Sequence, residues 1–397
     1  MNKFVSLASE NRDYSVAVRR DFHQYPELGF QEFRTSEIVA GELTSSGLEV
    51  SRNIGKTGVI GLLKGKNPGK TILLRFDMDA LPIQEENSTD YVSKNSGVMH
   101  ACGHDGHTAI GLTVAKIISQ YRDQIYGTVK FIFQPAEEGL GGAQATIDDG
   151  VLLNPRPDFC LGLHLWNEKP IGWIGTNSGP MMAGADVFEI IIKGKGGHGG
   201  LPNLAIDPIV AAAQIVTTSQ TIVSRNISPF ASGVTSFCSI NGGSTFNVIP
   251  AEVRLTGTIR TFDREIRTTI VRRLEEIAVN VGIAMGCSVD FSINDITPAV
   301  INDPIIANHV INIVHDLYPN FTTDDSFQTM GSEDYSLFLQ EIPGCFFFVG
   351  SANNDKNLVF GHHHPKFDFD EEVLPISVSL MLGMLMKLDF LKTEENN

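Results

Sequence analysis

Apolar residues recur along this chain with two spacings. Residues 9–24 carry them three and four apart, the period of an amphipathic helix, and Tyr25-Pro26 stops the pattern. Val59–Leu63 and Thr71–Phe76 are short apolar runs bounded by glycine and lysine, which predicts strands. A helix pattern follows from Thr108 to Arg122, then strands at Thr128–Phe133, ending at Gln134-Pro135, and at Phe159–Leu163. Strands alternating with helices predict an α/β domain, a mostly parallel sheet with helices on both faces.

The middle of the chain changes order. Strand Asp186–Lys193, helix Asp207–Arg225, strands Val234–Ile240 and Val253–Thr261, helix Glu265–Ala284 and strand Val289–Ile293 read β-α-β-β-α-β, the ferredoxin-like arrangement. This block is complete in itself and of ordinary domain size, so residues 183–298 are expected to form a domain inserted into a first one built from 1–182 and 299–397. Gly179-Pro180 and Thr297-Pro298 are the candidate hinges. Helices at 303–317 and 333–340, strand Cys345–Val349 and a C-terminal helix resume the α/β pattern. There is no internal repeat and no low-complexity tract.

Length alone, 397 residues, exceeds what one hydrophobic core usually serves. The net charge of -16 repels nucleic acid and anionic lipid, and no basic run offsets it. Five scattered cysteines, Cys102, Cys160, Cys238, Cys287 and Cys345, are too few and odd in number for a disulfide framework, which fits a reducing cytoplasm. The first residues, MNKFVSLASENRDY, lack the apolar core of a signal peptide. Val373–Leu391 is the most apolar stretch, falls short of a span of ~20 residues, and reads as a buried helix.

The polar clusters fall at informative places. Leu73–Phe76 runs into Asp77-Met78-Asp79, Phe131–Phe133 into Gln134-Pro135-Ala136-Glu137-Glu138, and Leu161–Leu163 into His164; Phe346–Phe348 precedes His362-His363-His364 by a loop. Each cluster sits just past the C-terminal end of a predicted strand, the edge where open α/β sheets bind ligands.

His100-Ala101-Cys102-Gly103-His104-Asp105-Gly106-His107 is the densest segment, immediately before a helix. Thiolate and imidazole are strong ligands for zinc and its neighbours, and a Cys-x-His spacing lets both reach one site. A plain helix-start loop with Asp105 as cap is the alternative. Glu137-Glu138 would ordinarily be a solvated surface pair; after an apolar strand and a proline, one carboxylate is suited to ligate a metal and the other to take a proton from water. His164 alone would pass for a core residue, and which of His362, His363 and His364 faces inward stays open. His198, in Lys195-Gly196-Gly197-His198-Gly199-Gly200, is either functional or part of a flexible hairpin; the run lacks the Lys and Ser/Thr of a phosphate loop.

Taken together, RRDFHQYPELGFQE, LLRFDMDALPIQE, HACGHDGHTA, FQPAEEG, the lone His164, KGKGGHGGLP, STFNVIP, GTIRTF, MGSEDYS and HHPKFDFDEEVLP resemble the zinc aminoacylase and carboxypeptidase superfamily over nearly the whole chain. The match is to its amidohydrolase branch, with hippurate hydrolases, N-acyl-amino-acid deacylases, auxin-conjugate hydrolases and N-acetyldiaminopimelate deacetylases. The resemblance implies two divalent metal ions, zinc or manganese before cobalt or nickel, on Cys102, His104, Glu138, His164 and His363, the last fitting a His-x-Pro-x-aromatic pattern. It implies Glu137 as general base, Asp79 as the acid that orients a ligand, and Asn247 and Arg260 as contacts to the substrate carboxylate. The first domain becomes a metallopeptidase-like catalytic domain and the insertion a lid and dimerisation domain. His198 then reaches the active site of a second protomer in a homodimer or higher homo-oligomer. Where the family often carries a further histidine after GGHGG, this chain has Asn203. The implied reaction is hydrolysis of a small N-acyl amino acid, with no nucleic acid or membrane partner. A metallocarboxypeptidase or dipeptidase uses the same groups, and a non-catalytic binding protein retaining the fold is the reading of another class.

Overall fold

The computed structural model describes residues 2–391. The chain divides into two compact units, one of residues up to Met181, Ile301–Gln328 and from Asp334 onward, the other of Met182–Val300 with Thr329–Glu333. The segment Thr329–Glu333 joins the second unit because Ala183 N–H donates to Thr329 O (3.2 Å) and Thr297 Oγ1 donates to Glu333 O (3.2 Å).

An eight-stranded sheet organises the first unit, in the order Glu49–Ile54, Gly58–Lys64, Tyr126–Gln134, Asn67–Asp77, Phe159–Pro170, Gly344–Ala352, Trp173–Gly175, Thr322–Asp324. The four central strands are mutually parallel; the flanking pairs Gly58–Lys64 with Tyr126–Gln134 and Trp173–Gly175 with Gly344–Ala352 are antiparallel. Burial on both faces explains why the central strands read as continuous apolar runs. Alternation then sorts their side chains. Leu161, Leu163 and Leu165 of one strand, with Cys345, Phe347 and Val349 of its neighbour, enter the main core, which also holds Leu112, Val378 and Leu382 of the covering helices. Their neighbours His164, Trp166, Phe346 and Phe348 therefore point to the opposite face.

Several helical features differ from the periodic reading. The N-terminal segment is two helices, Asn2–Glu10 and Arg12–Gln24, broken where Asn11 turns its side chain back onto Leu7 O (2.9 Å). Helix Phe33–Ser45, with Val39, Ala40 and Leu43 buried, is absent from the periodic reading, because Thr, Ser and Gly interrupt its apolar face. The helix expected at Thr108 starts instead at His104 and runs to Ser119, which places His104 in its first turn. The segment expected to be helical over 333–340 holds only the short helix Ser336–Glu341. The C-terminal helix is Val373–Lys387, buried along most of its length. Among the described residues no helix is long and apolar enough to cross a membrane.

The second unit is a four-stranded antiparallel sheet in the order Gly233–Asn241, Glu252–Thr261, Gly184–Lys193, Ser288–Thr297. Helices Pro208–Thr221 and Arg264–Ala284 cover it, each started by an aspartate, Asp207 or Asp263, that accepts from backbone N–H groups of the first turn. Numbered along the chain, the strands lie 2-3-1-4, the ferredoxin-like order, around their own core of Phe188, Ile190, Ile192, Leu255, Ile259 and Leu274.

Candidate metal centre

The loop before helix His104–Ser119 turns at Gly103, whose φ of +88° suits a residue without Cβ. That turn aims Cys102 and His104 at the C-terminal edge of the sheet, where strand Phe159–Pro170 delivers His164 and the segment after strand Tyr126–Gln134 delivers Glu137 and Glu138. Cys102 Sγ lies 3.5 Å from His164 Nε2. Two sets of ligand atoms, Cys102–His104–His164 and Cys102–Glu138–His363, each lie within 4.8 Å of one another and share the sulfur. A third set, His104–Glu137–Glu138, meets the same limit.

Hydrogen bonds to carbonyl oxygens, which only accept, define which imidazole nitrogen is available. His104 Nδ1 donates to Asp79 O (2.9 Å), with Asp79 Oδ1 at 3.2 Å, so Nε2 faces the cluster. That Nε2 is buried and makes no hydrogen bond among the described residues. His164 Nδ1 likewise donates to Leu165 O (2.6 Å), which turns its Nε2 toward Cys102. This is the usual outer-shell support of a metal-binding histidine.

The same logic separates the three consecutive histidines. His362 Nε2 accepts Asn167 N–H (3.2 Å), so its neutral ring carries the proton on Nδ1, 3.9 Å from Cys102 Sγ. His364 Nδ1 accepts Lys366 N–H (3.0 Å) and its ring stacks on Phe360. His363, with φ +64°, brings Nε2 to 3.2 Å from Glu138 Oε1.

Charge in the cluster calls for a cation. Burial pushes the Cys102 thiol well above its ordinary value, and the carboxylates of Glu138, Glu137 and Asp77 push it further. Burial pulls His104 down, but Asp77 and Asp79 outweigh it and raise it to about 10. Burial, then His107 and His362, holds His164 well below the normal imidazole range. A thiol held protonated by burial and by the carboxylates around it, beside an unsatisfied buried imidazole nitrogen, fits divalent metal ions of the zinc and manganese type.

Two supporting residues carry no assignment from the sequence. His107, one turn along the helix from His104, has both nitrogens engaged: Nδ1 with Asp77 Oδ1 (2.6 Å) and Nε2 with Leu165 N–H (2.9 Å). Asp77 also takes Arg75 Nη1 (2.5 Å), and Arg75 continues to Gln134 (2.8 Å) and Asp334 (3.0 Å). The available signals were the i, i+3 spacing of His107 from His104 and the position of Asp77 at a strand end.

His198, Asn247 and Arg260 lie in the second unit. His198 and Val248 pair in a short antiparallel ribbon, and Gly199 N–H donates to Asn247 O (2.8 Å), so the two glycine- and asparagine-bearing loops are neighbours. His198 is exposed and its Nδ1 accepts Gly200 N–H (3.0 Å), which leaves the proton of the neutral ring on Nε2. Arg260, half-buried on strand Glu252–Thr261, donates to Thr258 Oγ1 and to Ile259 O (3.1 Å).

Residues 73–387 match peptidase family M20/M25/M40. An N-acetylcysteine deacetylase of Bacillus subtilis is 40% identical over 91% of this chain and 93% of that protein. Thermostable carboxypeptidase 1 of Saccharolobus solfataricus is 39% identical over 95% of each. Among solved structures, the YXEP protein of Bacillus subtilis, described as a dinuclear metal binding peptidase from the M20 family, superposes with a TM-score of 0.84 at 35% identity, covering 96% of this chain and 100% of that one. A mostly parallel α/β unit with an inserted ferredoxin-like unit, a thiol–imidazole–carboxylate cluster at the sheet edge and these relationships agree: the chain belongs to peptidase family M20/M25/M40 and is a metal-binding hydrolase.

Proposed function

We propose that this protein hydrolyses the amide bond of small N-acyl amino acids, with two divalent metal ions, zinc or manganese, held by Cys102, His104, Glu138, His164 and His363. The observation that carries the reading is the sharing of Cys102 by two ligand sets while Glu137, beside Glu138, also comes within 4.8 Å of a ring nitrogen of His104. Neighbouring carboxylates can then take different tasks. A bound divalent metal lowers the pKa of water and polarises a carbonyl oxygen. Glu137 accepts the proton of the attacking water and hands it to the departing amine. Asp79 holds His104 by its Nδ1 side, and the His362 Nδ1–H toward Cys102 tempers the charge on the sulfur.

In the same reading Asn247 and Arg260 hold the substrate carboxylate, and the exposed His198 Nε2–H stabilises the developing oxyanion in the other protomer of a homodimer. Five cysteines without a disulfide support a cytoplasmic location. The name of the Bacillus subtilis deacetylase supports an N-acyl amino acid substrate; that of the Saccharolobus carboxypeptidase supports a second reading, cleavage of dipeptides by the same groups. Initial rates on N-acetyl, N-benzoyl and indole-acetyl amino acids and on dipeptides, with and without chelator, test this. Turnover confined to dipeptides would select the carboxypeptidase reading, and chelator-insensitive hydrolysis would refute the metal-dependent one.

A further inference from the structure

Two carboxylates clamp the backbone of the turn that carries Glu137 and Glu138. Glu32 Oε1 accepts Ala136 N–H (2.9 Å), and Asp79 Oδ2 accepts Glu138 N–H (3.0 Å). Between these points Ala136 adopts φ +55°, the left-handed region that is unfavourable for a residue with a Cβ. The turn closes on itself as Gly142 N–H donates to Ala136 O (3.0 Å) and Gly139 N–H to Glu137 O (2.6 Å). The segment bearing Glu32 fits closely against it. A Cβ placed on Gly29 would come within 3.1 Å of Ala136 Cα and Cβ. Leu28 bridges Ala80, and Ala80 N–H donates to Glu27 O (2.8 Å), so the segment 27–32 also braces the loop that holds Asp79. Glu32 is fully buried, with Oε2 taking the Thr57 hydroxyl (2.5 Å), and so is fastened at both oxygens.

We infer that Glu32 is a positioning residue: its carboxylate holds Ala136 in the left-handed conformation that presents Glu137 and Glu138 side by side. A strained backbone persists only where its surroundings over-determine it, and here a buried acceptor aimed at the strained residue's own N–H supplies that constraint. Glu32 acts through the peptide that precedes the ligand and the base. The reading of Glu137 as base and Glu138 as ligand is assumed.

The test uses the full-length protein and four variants: Glu32→Ala, Glu32→Gln, Ala136→Gly and the double Glu32→Ala/Ala136→Gly. Each is measured for kcat and KM on the best N-acyl amino acid, for zinc affinity by competition with a chromophoric chelator, and for Tm. Glu32→Ala should lower kcat by about 100-fold, the cost of a displacement near 1 Å at a reacting group, with KM little changed and zinc affinity reduced. Glu32→Gln keeps the acceptor and should stay within about fivefold of wild type. In the Glu32→Ala background, Ala136→Gly makes the left-handed turn accessible without the clamp and should recover about tenfold in kcat. A global structural role would instead lower Tm in every Glu32 variant and give no recovery when Ala136→Gly relieves the strain. The inference is overturned if Glu32→Ala leaves kcat and zinc affinity within about threefold of wild type, if Gln fails as badly as Ala, or if Ala136→Gly recovers nothing. Should wild type hydrolyse no N-acyl amino acid, the functional reading fails by itself, and the zinc affinities of the same four variants still decide the role of Glu32.

Discussion

His23 makes stability depend on pH with a definite sign. It is fully buried, with Nδ1 2.7 Å from Asp105 Oδ2 and Nε2 3.1 Å from Glu85 Oε1. Burial and the neighbouring Arg19 pull its pKa down, but Asp105 and Glu85 outweigh them and raise it from 6.5 to about 9. At about 1.4 kcal/mol for each tenfold, that rise corresponds to about 3 kcal/mol. Because the folded value exceeds the unfolded one, this contribution is complete below pH 6.5 and is lost as pH rises through about 9. The perturbation is His23→Gln, which keeps polar contact and cannot titrate. Urea unfolding of wild type and variant, followed at fixed zinc from about pH 6 to about pH 10, gives the difference in stability; pH effects on metal binding common to both proteins cancel in that difference. The penalty of the substitution should shrink by about 3 kcal/mol across the range, most of it above pH 6.5. A penalty independent of pH would refute the charged His23 and with it the ionic reading of its contacts to Asp105 and Glu85.

Further outcomes follow from the centre itself. Glu137→Gln should bind zinc normally and lose about 10²- to 10⁴-fold in kcat, whereas Glu138→Gln should weaken zinc binding; elemental analysis beside kinetics would expose reversed roles. Cys102→Ser should lose metal and activity together, and alkylation of Cys102 should be slowed while metal is bound; undiminished metal in the variant would remove Cys102 from the ligand set. Gly142→Ala would put a Cβ 1.7 Å from Pro135 O, so it should lower stability by about 1–3 kcal/mol in thermal unfolding and disable the turn. Gly41→Ala, in helix Phe33–Ser45 with open space around it, should instead stabilise by up to about 1 kcal/mol in the same thermal assay.

The element pattern was largely legible because each clue was local. The apolar runs at Thr71–Phe76, Thr128–Phe133 and Phe159–Leu163 are strands, since burial on both faces demands such runs. The β-α-β-β-α-β order of the insertion is visible as alternating patterns around its own core. Helix Phe33–Ser45 is not legible in the same way, because its apolar stripe is short and carries Thr, Ser and Gly, and only packing against the rest of the core makes it helical.

Residue types and their placement are sequence properties, and they identified Cys102, His104, the Glu137-Glu138 pair and His164 as candidates for one site; the strand expected to end before His164 instead continues through it to Pro170 and presents it from within the sheet. Tertiary structure decided what no spacing encodes: which nitrogen of each ring is open. Asp79 O and Leu165 O, distant in sequence from one another, select Nε2 of His104 and His164, while Asn167 N–H and Leu165 N–H occupy Nε2 of His362 and His107. It also decided how Glu32, far away along the chain, comes to hold Ala136. Hydrogen bonds of this kind depend on partners that meet only after the sheet and its helices have packed, because their directionality is satisfied at separations of about 3 Å that chain order does not record.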